Sequence, residues 1–133
     1  MASTIRLELV TPERLLLSED VDEVIAPGFE GEFGVLPEHT QFLCILNIGV
    51  LRYRKAGALH QVALGGGFAE VTPERVVVMA ETAERAEEID VERARRAKDR
   101  AEAELKTLSM DDDSYMKATS ALQRAIVRIS AGE

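Results

Sequence analysis

Several residue types and patterns are scarce in this chain of 133 residues, and their scarcity excludes whole classes of protein. There is no tryptophan and a single cysteine, Cys44, so an internal disulfide is excluded. No apolar run approaches the ~20 residues of a membrane-spanning helix. Residues 1–6 lack the basic and then apolar pattern of a secretory signal, so we expect none. With two histidines and no His-Glu-x-x-His pattern, we also expect no metal site.

Positive charge is scarce as well. The chain has 16 Lys+Arg against 24 Asp+Glu, a formal net charge of −8. Residues 90–133 hold nine basic and nine acidic residues, so the whole acidic excess lies in the first 89 residues. Nucleic acids and anionic membrane surfaces are bound by clusters of Lys and Arg. We therefore expect no nucleic-acid partner and no direct contact with lipid.

Glycine and proline are absent between Glu74 and Ala131, whereas all four prolines and eight of the nine glycines lie in the first 73 residues. Because these residues mark turns and interrupt helices, the chain divides into two parts. We predict an α+β protein with segregated parts. An N-terminal antiparallel β-sandwich of about ten strands occupies residues 1–85, and a C-terminal antiparallel α-helical hairpin occupies residues 86–133.

The front part shows short strand patterns separated by turns. Ile5, Leu7 and Leu9 alternate with charged residues, which is the two-residue period of a half-buried strand. Residues 18–20 are predicted as an acidic turn, Ala56-Gly57 as a hairpin turn, and Gly65–Gly67 as a tight turn or bulge. The remaining strands are predicted at residues 15–17, 21–26, 42–48, 50–54, 59–64, 68–71 and 76–80.

The back part shows two helical patterns. Asp90 is the predicted cap of a helix from Val91 to about Leu108, and a second helix runs from Ser114 to about Ser130. Their apolar stripes are rich in alanine, which contributes much less than the ~1.5–3 kcal/mol of a buried Leu or Ile. The hairpin is therefore expected to be held weakly. The residues alone favour a permanently docked pair of helices, and a mobile hairpin is the alternative. The stripes consist of Ala94, Ala97, Ala101, Leu105 and Leu108, and of Ala118, Leu122, Ala125 and Ile129.

No group of residues forms a catalytic constellation. Cys44 lies among apolar neighbours and is interpreted as core packing. His60 is interpreted as a strand residue, His39 as a loop residue, and no carboxylate has an apolar context that would raise its pKa. We therefore predict that the chain is not an enzyme on its own.

Four arginines could form an anion site. Arg93 and Arg100 share one face of the first predicted helix, and Arg124 and Arg128 share one face of the second. If the helices lie side by side, their guanidinium groups could bind a triphosphate in bidentate fashion.

The charge pattern alone favours a different interpretation of these helices. Surface ion pairs such as Glu92 with Arg96 are common and weak, and a solvated face with local pairs needs no ligand.

Five motifs follow one another along the chain. They are Gly28–His39 (GFEGEFGVLPEH), Gly49–Arg52 (GVLR), Gly65–Val71 (GGGFAEV), Val76–Glu81 (VVVMAE) and Ala83–Asp90 (AERAEEID). Together they resemble the epsilon subunit of bacterial F-type ATP synthase over essentially the whole chain. Two positions depart from that family, which commonly has glycine at the position of Glu38 and proline at the position of Gln41.

The resemblance implies the same two-part fold and a non-catalytic subunit of the rotor's central stalk. The sandwich is expected to bind the gamma subunit and the ring of c subunits, and so to couple proton flow to ATP synthesis. The hairpin is expected to rise into the alpha/beta catalytic head and restrain ATP hydrolysis. The expected location is peripheral, at the cytoplasmic face of the bacterial plasma membrane. The residues expected to face the c ring are Glu30, Glu32, Glu38 and His39.

Some bacterial members of the family also bind ATP on the folded hairpin, through a motif that reads here Ile89-Asp90-Val91-Glu92-Arg93-Ala94. No cofactor is expected to be required, and ATP is the expected regulatory ligand. The ATP-binding residues implied by the resemblance are Glu84, Ile89, Asp90, Arg93, Ala94, Arg100, Arg124 and Arg128.

Two other functions stay open from the sequence. One is a free-standing ATP-sensing protein that uses the same hairpin without a rotary partner. The other is a small sandwich enzyme with a helical appendage, which is disfavoured because no catalytic set is present.

Overall fold

The computed structural model describes residues 4–133, so residues 1–3 of the first predicted domain lie outside the described residues. Strands come first along the chain and helices last. The strands are β1 (Ile5–Val10), β2 (Leu15–Val21), β3 (Glu23–Gly28), β4 (Gly31–Val35), β5 (Phe42–Lys55), β6 (Ala58–Val71), β7 (Arg75–Ala80) and β8 (Ala83–Arg85). A 3-10 helix (Ala86–Glu88) then leads to α1 (Val91–Thr107) and α2 (Asp113–Gly132).

The strands pair in the order β2-β1-β7-β6-β5-β3-β4, and β8 pairs with β6. All these pairs are antiparallel except β1 with β7, which is parallel. Within residues 4–133 there are eight strands: β5 and β6 each join two of the shorter segments predicted from the sequence, and β4 and β8 are not among those segments. Each is 14 residues long, and β6 changes neighbours along its length, from β8 at Val62–Leu64 to β7 at Gly67–Val71.

One hydrophobic core collects side chains from all eight strands. A flat sheet cannot bring its two ends to a common core, so this sheet folds over into two packed layers. The predicted β-sandwich followed by a helical hairpin is confirmed. Representative core residues from successive strands are Ile5, Leu16, Val24, Val35, Leu51, Val62, Val78 and Ala83.

Two turns predicted from the sequence are wrong. Residues 18–20 continue β2, where Arg6 of β1 donates hydrogen bonds to Ser18 Oγ at 2.9 Å and to Asp20 Oδ1 at 3.3 Å. A cross-strand cation therefore allows an acidic segment to remain extended. Gly65–Gly67 lies inside β6 at the change of neighbours, with φ of +98° at Gly66 and +145° at Gly67. A Cβ at Gly67 would lie 2.1 Å from the carbonyl oxygen of Met79, so the sheet requires glycine there.

The predicted hairpin turn at Ala56-Gly57 is confirmed. Lys55 pairs with Ala58 across it, and both turn residues have positive φ, +52° at Ala56 and +82° at Gly57. Two positive φ angles in a two-residue loop are the geometry whose twist suits a β-hairpin.

The helical hairpin also follows its predicted pattern. Asp90 caps α1 by accepting a hydrogen bond from the backbone N–H of Arg93 at 3.0 Å. The buried residues of the two helices are all alanines. They are Ala94 and Ala101 on α1 and Ala118, Ala125 and Ala131 on α2.

Glu38 occupies a backbone conformation that suits glycine. Its φ is +68°, and its backbone N–H donates to the carbonyl of Pro73 at 2.8 Å. A residue with a side chain loses about 1–2 kcal/mol of conformational free energy in this left-handed region. This cost explains why glycine is common at this position in the family that the chain resembles.

We expect Glu38→Gly to raise the free energy of unfolding by about 0.5–1 kcal/mol, because it relieves this strain at a modest cost in chain entropy. Urea unfolding of the purified protein measures the change. Glu74→Gly is the matched control, since Glu74 lacks a positive φ, and it should be neutral or destabilising. Equal effects of the two substitutions would contradict the strain at Glu38.

Candidate functional site

The segment that leads into the hairpin makes several polar contacts with the sandwich. The Arg14 guanidinium lies 3.1 Å and 3.2 Å from the two carboxylate oxygens of Glu88, and the Arg85 guanidinium donates to the carbonyl of Leu16. Glu88 Oε1 also accepts a hydrogen bond from the Arg85 backbone N–H at 3.0 Å. These contacts hold the 3-10 helix in place up to Glu88.

The electrostatic effect of this arrangement falls on Glu88. The hydrogen bond from the Arg85 backbone, followed by that from Arg14, holds the pKa of the Glu88 carboxyl below its usual range in spite of partial burial. Ionised Glu88 is therefore favoured in the folded protein.

Beyond Glu88 the chain enters the predicted ATP motif. Ile89 and Asp90 are extended, with φ and ψ of −79° and 126° and of −85° and 96°. Asp90 is engaged as the helix cap, and Ala94 is completely buried. The motif therefore builds the first turn of α1 and its contact with α2.

A mixed-charge cluster lies where β8 meets α2. Glu84 Oε1 is 2.6 Å from Arg128 Nε, and Arg128 donates a second contact to Glu84 Oε2 at 3.3 Å. Arg124 lies beside them. The three side chains line an open depression of about 300 Å³ whose other walls are Thr82, Ala97, Ala121 and Ala125.

The other two predicted arginines do not line this depression. Arg93 and Arg100 lie three or four residues from Ala97 on α1, and thus on the same side of the helix as a wall of the depression. Both are exposed, and neither side chain forms an ion pair with any described residue. The structure thus brings Glu84, Arg124 and Arg128 together, whereas Arg93 and Arg100 are exposed on α1 and do not line the depression.

The local ion pair predicted for α1 is different from the one observed. Glu92 pairs with Arg95 at 2.5 Å, at a spacing of three residues, and not with Arg96. Arg95 also lies 4.0 Å from Glu133 at the end of α2. The pair lies near the open end of the hairpin, where Arg95 also approaches Glu133 of α2. Arg96 is exposed to solvent.

The hairpin reaches the sandwich through α2. Gln123 Nε2 lies 3.5 Å from the carbonyl of Ile48 on β5, and Val127 faces Ala63 and Leu64 of β6 across a small gap. Helix α1 packs mainly on α2. The attachment of the hairpin therefore depends on one helix and few large apolar side chains.

Three of the four residues expected to face the c ring lie close together. Glu30, Glu32 and His39 line a depression of about 620 Å³ together with aromatic side chains, whereas Glu38 does not. Glu32 is paired with Arg52 at 2.7 Å, and the His39 ring packs edge-on against Phe42 at 5.3 Å.

An exposed apolar row on the sheet was missed from the sequence. Ile45 (65% exposed), Phe68 (43%) and Met79 (36%) are directly paired neighbours across β5, β6 and β7. The missed signal is the unbroken apolar run of residues 42–46. In a strand with only one buried face, apolar and polar residues alternate, so such a run predicts apolar residues on both faces.

We expect Glu88→Gln to weaken the acid sensitivity of folding. Because the folded pKa of Glu88 is lowered, its contribution to stability is present above the unfolded pKa of about 4.3 and is lost as the pH falls through the folded value. The variant should be less stable than the wild type at pH 7, and the difference should shrink at pH 3. Urea unfolding at several pH values measures it.

Glu87→Gln is the control for this prediction, since Glu87 is exposed and makes no ion pair within residues 4–133. If the Glu88 variant and the wild type lost stability in parallel on acidification, the anchoring role of Glu88 would be refuted.

Within residues 4–133, no set of three or more His, Cys, Asp or Glu side chains is arranged to hold a metal ion. Neither helix of the same range combines the length and the apolar character needed to cross a membrane.

The chain matches two family models along its length. The first is described as ATP synthase, Delta/Epsilon chain, beta-sandwich domain, and covers residues 4–86. The second is described as ATP synthase, Delta/Epsilon chain, long alpha-helix domain, and covers residues 87–133.

Close relatives and similar structures carry related names. The chain is 55% identical to the ATP synthase epsilon chain of Nitratidesulfovibrio vulgaris strain DP4, over 97% of this chain and 96% of that one. It is 50% identical to the epsilon chain of Desulforamulus reducens over 100% of both. A chain of the Euglena gracilis mitochondrial ATP synthase, in a structure of OSCP, F1 and c-ring, is 29% identical with a TM-score of 0.83, over 98% of this chain and 82% of that one. A chain of the Tetrahymena thermophila central stalk and c-ring shares the fold, at 14% identity and a TM-score of 0.67, over 97% and 96%.

Proposed function

This chain belongs to the ATP synthase delta/epsilon chain family, and we propose that it acts as a coupling and regulatory subunit of the central stalk. The resemblance to the epsilon subunit of bacterial F-type ATP synthase is confirmed. An epsilon chain is a non-catalytic subunit of its enzyme. The proposal assigns one task to the sandwich and another to the hairpin, divided between residues 85 and 86.

The exposed apolar row of Ile45, Phe68 and Met79 is the observation that carries the stalk role. Contiguous exposed apolar side chains mark interaction surfaces, because their burial against a partner contributes about 25 cal/mol per Å². We assign this row to the gamma subunit. A free-standing ATP sensor would leave the row without a function.

We assign the acidic loop with Glu30, Glu32, Glu38 and His39 to the c ring. Three of these residues share the aromatic-walled depression, which offers a partner apolar contact beside negative charge. A subunit that holds both gamma and the ring transmits rotation between the proton-driven ring and the catalytic head. Its place is the cytoplasmic face of the bacterial plasma membrane, peripheral and without lipid contact.

We expect Phe68→Asp to reduce capture of gamma by about tenfold or more, because it buries a charge in the apolar interface. Leu59→Asp is the matched control: Leu59 is on the same strand and 46% exposed, against 43% for Phe68, but lies off the row. Pull-down of co-expressed gamma measures both.

If the Phe68→Asp variant still captured gamma, the interface with gamma would not lie at this apolar row. A wild-type chain that captures neither gamma nor any other synthase subunit would refute the stalk role itself.

The hairpin is proposed to bind ATP in its docked position. Glu84, Arg124 and Arg128 line one depression, and Arg93 and Arg100 lie on the same side of α1 as its wall residue Ala97, without acidic partners among the described residues. Four guanidinium groups around one depression create a concentration of positive charge that suits a triphosphate. Ile89, Asp90 and Ala94 complete the proposed site as the structured start of α1.

Binding at this place regulates the hairpin through linkage. Glu84 belongs to β8 whereas the arginines belong to the helices, so the site is complete only while the hairpin is docked. A ligand that binds one state alone stabilises it by RT ln(1 + [L]/Kd). ATP thus holds the hairpin down. Loss of ATP lets it rise along gamma into the alpha/beta head, where it restrains hydrolysis.

We expect Arg93→Ala and Arg128→Ala each to weaken ATP binding by roughly tenfold or more, since a hydrogen bond to a charged group contributes about 1.5–3 kcal/mol. Calorimetric titration of the purified chain measures the affinities. Arg96→Ala removes the same charge from the face of α1 opposite the buried Ala94, and should bind like the wild type.

Equal ATP affinities of the wild type and the Arg93, Arg128 and Arg96 variants would refute the arginine site. Absence of ATP binding by the wild type would remove nucleotide regulation and leave the stalk role standing.

A further inference from the structure

Gly132 is an unusual residue for the end of α2. It is helical and lies in the last turn of a 20-residue helix, where glycine is the poorest helix former apart from proline. A terminal glycine is usually explained by a left-handed backbone. The glycines with positive φ in residues 4–133 are Gly31, Gly57, Gly66 and Gly67, so Gly132 is not in that conformation.

The space around Gly132 gives a different reason for its presence. A Cβ at this position would lie 2.8 Å from Val91 Cγ2, and 3.1 Å and 3.3 Å from Ile89 Cγ2 and Cβ. Val91 is β-branched and sits in the first turn of a helix, where its side chain has essentially one rotamer. A side chain at residue 132 therefore requires the last turn of α2 or the start of α1 to shift.

Gly132 also continues the row of the site's arginines. Arg124, Arg128 and Gly132 are four residues apart and lie along one side of α2. Its contacts, Ile89 and Val91, belong to the proposed ATP motif at the start of α1. Ala131 beside it is buried. The last turn of α2 thus lies close to the start of the motif that carries the arginines of α1.

We propose that Gly132 is a positioning residue of the ATP site: by lacking a side chain, it lets the last turn of α2 lie against Ile89 and Val91, and so holds the two pairs of arginines at the spacing a polyphosphate can bridge. The inference rests on the proposed ATP site. Substituents of increasing size at residue 132 wedge the helices apart at their open end.

The first test is an ATP titration of Gly132→Ala and Gly132→Val. ATP affinity should fall about threefold or more for alanine and further for valine. Helix propensity alone makes the opposite prediction for Gly132→Ala, because alanine strengthens the last turn and should leave affinity unchanged or improved. Ser130→Ala, an exposed change in the same turn, is the control and should bind like the wild type.

The second test is rescue. Val91→Ala removes both γ-methyl groups, including the one nearest to the wedge. Gly132→Ala should therefore lower ATP affinity much less in a Val91→Ala background than in the wild type. A merely structural defect at residue 132 would not be repaired by a cavity in α1.

The third measurement follows the helices directly. In a Cys44→Ser background, spin labels at Arg96→Cys and Ile126→Cys report the distance between α1 and α2. Gly132→Val should lengthen this distance, and Val91→Ala should shorten it again. These label distances can also be measured without nucleotide. They therefore test whether Gly132 sets the spacing between α1 and α2 independently of ATP binding.

The outcomes separate the two proposals. If the wild type binds ATP and Gly132→Val binds it equally well at an unchanged label distance, the role of Gly132 is overturned and the ATP site stands. If the wild type binds no ATP, the ATP site fails, and with it the role of Gly132 at that site.

Discussion

The close contact of alanine-lined helices is the constraint on which the rest of this structure depends. Alanine and glycine allow α1 and α2 to approach each other and α2 to approach the sheet, yet they bury little apolar area. The five buried residues of the two helices are alanines, whereas every residue of the large hydrophobic core belongs to the strands. Stability is therefore concentrated in the sandwich, and the hairpin is attached through a contact that is close but thin.

The distribution of polar contacts reinforces this division. The arginines and carboxylates around the 3-10 helix tie the linker to the sandwich as far as Glu88, and after Glu88 the main polar ties are Glu84 with Arg128 and Gln123 with the Ile48 carbonyl. A few contacts of this kind are worth little individually. The hairpin is consequently attached to the sandwich by few polar contacts, whereas the sheet has a continuous core.

Much of this architecture could be predicted because it follows from local sequence patterns. The alternation of Ile5, Leu7 and Leu9, the cap at Asp90 and the absence of glycine and proline from residue 74 to residue 131 each report a local conformational preference. The errors concern neighbours that the local pattern does not show. The acidic residues at 18–20 stay in a strand because Arg6 lies across from them, and Gly65–Gly67 marks a change of strand partners inside β6.

The candidate site divides in the same way. Residue types and helical spacing by themselves determined that four arginines lie in two pairs, and the family resemblance pointed to Glu84 and Asp90. Only the tertiary structure decided that Glu84 pairs with Arg128 in a depression that Arg93 and Arg100 do not line, that an apolar row crosses three strands, and that Gly132 lies close to Val91. Helical periodicity is a property of neighbours in sequence. Contacts between α2, β8 and the start of α1 depend on how separate elements pack. The sequence of any one of these elements does not determine that packing.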